Sequence, residues 1–144
     1  MSVPDATDDS ASISISAPLT GIKVLVADDS HTVRRSAELF LSQAGCQVIL
    51  AEDGFDALAK IVDQEPDVVF CDIDMPRLDG DRACMLIKSN PRFAATPVAT
   101  LGTGDNVLDQ ARGRVAGADM HLGKPFSQED LVNAVATLTD RETP

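Results

Sequence analysis

The stretch Val68-Val69-Phe70-Cys71-Asp72-Ile73-Asp74-Met75-Pro76 sets the terms for the rest of the chain. Four apolar residues after Pro66-Asp67 are too few for a helix and read as a buried strand. The strand ends abruptly in acid, and Pro76, with no N–H to donate, forbids its continuation. Asp72 is therefore expected at the carboxyl end of a central strand, with the loop from Asp74 to Gly80 curling away from it. In open α/β sheets that rim is where ligands bind.

The flanking sequence alternates strand and helix patterns. Ile22 to Ala27 reads as a strand, and Asp28-Asp29-Ser30 ends it and can cap the first helix. From His31 to Ala44, the residues Val33, Ala37, Phe40, Leu41 and Ala44 recur at helical spacing, and Gly45 stops the helix. Gln47 to Ala51 is a second strand, and Gly54 opens a helix whose expected apolar stripe is Phe55, Leu58, Ile61 and Val62. After the central strand, Asp81 to Ser89 forms a short helix carrying Met85 and Leu86, ended by Asn90-Pro91. Pro97 to Leu101 is a fourth strand, Gly102-Thr103-Gly104 a loop, and Asp105 opens a helix to about Ala116. Gly113 inside that helix costs about 1 kcal/mol relative to Ala, which predicts a mobile element. Ala118 to Leu122 is a weak fifth strand. Ser127 caps a last helix, Gln128 to about Leu138, with Leu131, Val135 and Leu138 on one face. Short loops and right-handed crossovers make this α/β: a doubly wound five-stranded parallel sheet with helices on both faces. Strand order 2-1-3-4-5 sets the first and third strands side by side where the winding reverses, so Asp28-Asp29 and Asp72 share one rim.

At 144 residues the chain suffices for one domain with a proper core. We assign residues 21–140 to it, 1–20 to a Ser-, Ala- and Asp-rich disordered tail, and 141–144 to a C-terminal tail. Ser12-Ile13-Ser14-Ile15-Ser16 alternates like a strand but is short and has no turn tying it to the domain. Aromatics make up only 3% against 44% hydrophobic residues, as suits an aliphatic α/β interior. A formal charge of −11 argues against a nucleic-acid surface, which needs a basic face, and fits a cytoplasmic protein with protein partners. No apolar run approaches the ~20 residues of a membrane span, and the N-terminus lacks a signal peptide's basic start and apolar core. Cys46, Cys71 and Cys84 lack zinc-like spacing, and Cys71, inside an apolar run, is expected to be buried and reduced.

Three carboxylates at one strand edge repel one another unless a cation intervenes. An oxygen-rich, water-accessible cluster suits Mg²⁺, which keeps waters and takes few protein ligands. Lys124, after the fifth strand and before Pro125, can reach in with a compensating charge. Acid pair, lone acid and lysine on successive strand ends form an electrostatic clamp for phosphoryl transfer onto a carboxylate. Each residue also has a bland reading: Asp28-Asp29 as strand end and helix cap, Asp72 as an Asx turn before Pro76, Lys124 as a solvated surface lysine. His31 reads as an exposed first-turn residue and Arg34-Arg35 as a solvated helix face.

From Gly21 to Leu138 the chain resembles the receiver domains of response regulators, whose fold is flavodoxin-like. The resemblance rests on Val26-Ala27-Asp28-Asp29-Ser30, Asp72-Ile73-Asp74-Met75-Pro76 with Leu78-Asp79-Gly80, Pro97-Val98, and Lys124-Pro125-Phe126, in order and at family spacing. It implies that Asp72 accepts a phosphoryl group from a histidine kinase docking near the first helix. It further implies that Asp28, Asp29 and Asp72 hold Mg²⁺ with the backbone carbonyl of Asp74, that Lys124 contacts the phosphoryl group, and that Lys124-Pro125 is cis. With no output domain after it in the sequence, the expectation is a stand-alone receiver that is no enzyme beyond its own phosphorylation and dephosphorylation. The resemblance further implies that it would signal through protein contacts made by the fourth helix, fifth strand and last helix, about Asp105 to Leu138. Gly54-Phe55-Asp56-Ala57-Leu58-Ala59-Lys60, Pro76-Arg77-Leu78-Asp79-Gly80, Leu86-Ile87-Lys88 and Ala111-Arg112-Gly113-Arg114 look like the single-domain regulators of type IV pilus twitching motility. Those regulators take phosphoryl groups from a chemotaxis-type kinase and act on the pilus machinery.

Two positions depart from the family pattern. Where the family ends its fourth strand in Ser or Thr, about thirty residues past the phosphoacceptor, this chain has Gly102, with Thr103 beside it and Thr100 two before. The aromatic switch position of the fifth strand holds His121, which also reads simply as a half-buried, hydrogen-bonded strand histidine. Thr103, or the backbone from Gly102 to Gly104, is expected to substitute for the missing hydroxyl. These departures keep open a receiver-like module that no longer signals by phosphate. A second rival is a haloacid-dehalogenase-like phosphatase built on Asp72-Ile73-Asp74, but Met75 stands where that family has Thr or Val and no later acidic pair is convincing.

Overall fold

The apolar run ending in Asp72 forms a strand buried at every residue, Val68–Asp72 (β3), at the middle of the sheet. In the computed structural model, which describes residues 19–103 and 106–140, it is preceded by Lys23–Ala27 (β1), His31–Gln43 (α1), Gln47–Ala51 (β2) and Gly54–Gln64 (α2). After it come Gly80–Ser89 (α3), Val98–Thr103 (β4), Val107–Ala116 (α4), Met120–Lys124 (β5) and Gln128–Leu138 (α5). All pairings are parallel, and the order is β2-β1-β3-β4-β5, the 2-1-3-4-5 order expected of a doubly wound sheet. Among the described residues no helix is long and apolar enough to cross a membrane.

Alternation along the strands divides the core in two. Val24, Val26, Phe70 and Leu101 pack with Ala37 and Leu41 of α1 and with Leu131 and Val135 of α5. Leu25, Ile49, Val69 and Cys71 pack on the other face with Ile61, Cys84 and Ile87 of α2 and α3. Local chemistry fixes the helix ends. The Ser30 hydroxyl accepts from Val33 N–H to start α1, Gly45 at φ +98° follows its end, and Ser127 and Asp130 form a reciprocal capping box on α5. All three cysteines are buried, and none forms a disulfide.

Several boundaries and faces differ from the sequence expectation. On α2 the inward residues are Gly54, Ala57 and Ile61, while Phe55 is 52% exposed beneath the Arg77 guanidinium and Val62 is also exposed. On α3 they are Gly80, Ala83, Cys84 and Ile87, while Met85 and Leu86 are half-exposed. In both helices a Gly and an Ala open the inward row: a Cβ on Gly54 would collide with Leu78 and one on Gly80 with the Asp72 backbone, and Ile61 and Ile87 complete the row. Helix α4 begins at Val107, its first turn capped by Asn106, whose side chain accepts from the Leu108 and Asp109 N–H groups; Asp105 lies outside the described residues. Strand β4 runs on through Gly102 and Thr103, which pair with Gly123 and Lys124, so β5 spans 120–124 rather than 118–122. Gly113 is explained by packing: a Cβ there would stand 2.7 Å from Thr100 Oγ1, so its absence seats α4 on β4. Leu19, which composition assigns to the tail, is fully buried, and its N–H donates to the Ala44 carbonyl at 3.1 Å.

Candidate functional site

Register brings the acids together. Ala27 pairs with Cys71, so Asp28 and Asp72 emerge side by side from the carboxyl ends of β1 and β3. Oxygens of Asp28, Asp29 and Asp72 lie within 4.8 Å of one another. Asp28 is wholly buried, Asp72 is 4% exposed, and Asp29 faces solvent. Lys124, last residue of β5, spans the pair with Nζ 3.0 Å from Asp28 Oδ2 and 3.2 Å from Asp72 Oδ1. The Lys124-Pro125 peptide is cis.

Each carboxylate is oriented by its neighbours. Asp28 Oδ1 accepts from Ser30 N–H at 2.9 Å, and its backbone carbonyl accepts from Arg34 Nη1 at 2.7 Å. Arg34 thus pins the acid-pair loop, a tertiary role that the reading as a solvated face missed. Asp72 Oδ1 also accepts from Asp74 N–H at 3.3 Å. Burial first, and the Asp28 charge second, push the Asp72 carboxyl up to about 6, with the Lys124 ammonium pulling it back. Burial works to lower Lys124, but the hydrogen bond and charge of Asp28, followed by the charge of Asp72, outweigh it and leave the ammonium above its ordinary value. Clustered hard oxygens, one buried pair and one exposed acid, form a donor set that suits Mg²⁺.

The departures from the family pattern lie on the neighbouring strands β4 and β5. Thr103 follows Leu101 by two and so shares its side of β4; it is exposed and paired in register with Lys124. Thr100 and Gly102 take the opposite side, under α4. There Thr100 Oγ1 lies 2.8 Å from His121 Nδ1, whereas His121 Nε2 is buried and has no hydrogen-bond partner among the described residues. A Cβ on Gly102 would stand 2.8 Å from Asp109 Oδ2 and 3.0 Å from His121 Cε1. Glycine is thus what admits the His121 ring and the buried Asp109 carboxylate together.

Asp74 is not simply solvated. Its Oδ1 meets Arg112 Nη1 of α4 at 2.9 Å, a contact no sequence spacing announces. Arg112 appeared in the sequence only within the run Ala111-Arg112-Gly113-Arg114.

The chain is similar to known proteins over most of its length. The family model described as the response regulator receiver domain matches residues 24–136. Protein PilG of Pseudomonas aeruginosa is 52% identical over 124 residues, 86% of this chain and 92% of that protein. Response regulator MprA of Mycolicibacterium vanbaalenii is 40% identical over 123 residues, 85% of this chain but 52% of that protein. Among solved structures, chemotaxis response regulator CheY4 of Vibrio cholerae superposes with a TM-score of 0.78 at 32% identity, over 83% of this chain and 99% of that one. The chain belongs to the response regulator receiver domain family.

Proposed function

We propose that Asp72 is the phosphoacceptor of a single-domain response regulator, taking its phosphoryl group from a chemotaxis-type histidine kinase. The observation that carries this reading is the Lys124 ammonium bridging Asp28 and Asp72 at 3.0 and 3.2 Å within a cluster of three acids. An Asp72 oxygen forms the new bond to phosphorus while the phosphorus–nitrogen bond to the kinase histidine breaks, nitrogen keeping the electron pair. Lys124 faces the phosphoryl oxygens and balances their charge. Asp28, Asp29 and Asp72, with the Asp74 carbonyl, are the residues that would hold Mg²⁺. The ion, when bound, supplies positive charge to the phosphoryl oxygens. Thr103, in register with Lys124, stands in for the hydroxyl that Gly102 lacks. His121, bonded to Thr100, is the second switch position.

The output of this reading is a shift between two conformations read by a protein partner. Its resemblance to twitching-motility regulators, together with the likeness to PilG, supports a cytoplasmic role in controlling the type IV pilus machinery. The folding unit is taken as residues 21–140 together with Leu19, which packs into its core. A phosphate-independent interaction module is the second reading, favoured by Gly102 and by His121 Nε2, which has no hydrogen-bond partner among the described residues. One experiment separates them: incubate the full chain with Mg²⁺ and acetyl phosphate and weigh it intact. A gain of one phosphate, absent in Asp72→Asn and slower in Thr103→Ala, is the expected result. No gain favours the module, and an unchanged Thr103→Ala removes Thr103 from the mechanism.

A further inference from the structure

Arg112 of α4 reaches across to the loop that leaves Asp72. Its guanidinium grips Asp81, in the first turn of α3, by two edges: Nε 3.0 Å from Oδ2 and Nη2 3.2 Å from Oδ1. Nη2 also donates to the Ile73 carbonyl at 3.3 Å, and Asp79 and Asp109 stand at 3.7 and 3.9 Å. Gripped in this way, Arg112 is a fixed cation rather than a wandering surface side chain. Its Nη1 takes the carboxylate of Asp74 at 2.9 Å.

Asp74 thus has two contacts of different kinds. Its backbone N–H touches Asp72 Oδ1, while its carboxylate is held on α4. Left free, that carboxylate would join Asp28, Asp29 and Asp72 in facing an incoming phosphoryl group, and like charges at such range repel. A partly exposed ion pair of this kind adds little to stability. Its consequence lies in where the Asp74 charge stands.

We infer that Arg112 is a positioning residue for phosphoryl transfer to Asp72, holding the Asp74 carboxylate against α4 and off the path of the phosphoryl group. The inference rests on reading Asp72 as the phosphoacceptor. With acetyl phosphate as donor, an Asp72 oxygen lone pair forms the bond to phosphorus. The bond from phosphorus to the acetate oxygen breaks, and acetate leaves with that pair.

The test follows the mass of the full chain over time with Mg²⁺ and acetyl phosphate at low ionic strength. It compares the unsubstituted protein with Arg112→Ala, Asp74→Ala and the double variant. Arg112→Ala is expected to slow uptake by about threefold to tenfold. Removing the Asp74 carboxylate as well is expected to recover the rate lost in Arg112→Ala, the double variant matching Asp74→Ala. Added salt should narrow the gap. Recovery on deleting a carboxylate is not what loss of a merely structural contact would give. Arg112→Gln, which keeps the packing of the stem, repeats the comparison if Arg112→Ala fails to fold. A double variant as slow as Arg112→Ala, or an Arg112→Ala rate equal to that of the unsubstituted chain, overturns the inference alone. No mass gain in the unsubstituted chain overturns the phosphoacceptor reading, and this inference with it.

Discussion

An ionised carboxylate at Asp72 has little water around it and the Asp28 charge beside it, and its carboxyl is pushed up to about 6 from an ordinary 3.8. The sign of the consequence comes from proton counting. Between those two values the folded chain holds a proton that the unfolded chain has already released, so stability falls as pH rises through that window. Above it the charge is present in both states, and the destabilisation persists undiminished. Asp72→Asn keeps the shape and removes the charge. In chelator it should therefore raise unfolding stability at pH 7.5 by about 1–3 kcal/mol. The difference should close near pH 4, as urea melts at the two pH values would read. A variant no more stable than its parent at pH 7.5 would mean that the Lys124 ammonium, 3.2 Å away, compensates in full.

At the scale of elements, α4 shows how a local preference yields to a tertiary contact. In an isolated helix Gly113→Ala would be worth about 1 kcal/mol of stability. Here the new methyl meets Thr100 Oγ1 at 2.7 Å, and that hydroxyl is tied to His121. The substitution should cost about 1–3 kcal/mol. In a Thr100→Ala background, where the obstructing atom is gone, the cost should shrink; equal costs in both backgrounds would rule out the clash. The same contrast explains what the sequence revealed of this fold. β3 was legible because Pro76 and the acids punctuate a short apolar run, and the parallel doubly wound sheet because strand and helix patterns alternate. The inward faces of α2 and α3 were not, because Ala57, Ala83 and Cys84 carry less hydropathy signal than Phe55, Met85 and Leu86, which face out. The extension of β4 through Gly102 depends on pairing with β5, and glycine has no strand preference to announce it. The acids and Lys124 could be brought to one rim from topology alone, whereas Arg34 and Arg112 act through contacts that no periodicity encodes.

For the molecule as a whole, the question is which residues make up the cooperative unit. Composition draws the boundary at Gly21, where Ser- and Asp-rich sequence gives way to strand. Burial draws it two residues earlier: Leu19 has no exposed surface, packs in the cluster that holds Ile22, Leu41, Ala44 and Cys46, and is tied by its N–H to the end of α1. A leucine removed from such a core costs about 2–5 kcal/mol, a large share of the roughly 5–15 kcal/mol that holds a domain of this size together. A chain starting at Gly21 should therefore unfold at markedly lower urea than one starting at Pro18, with Leu19→Ala in the full-length protein matching most of that loss. The slope of the transition should change little, since nearly the same surface is exposed on unfolding. Equal midpoints for the two truncations would mean that Leu19 rests on the core without belonging to it, and that the boundary lies where the composition changes.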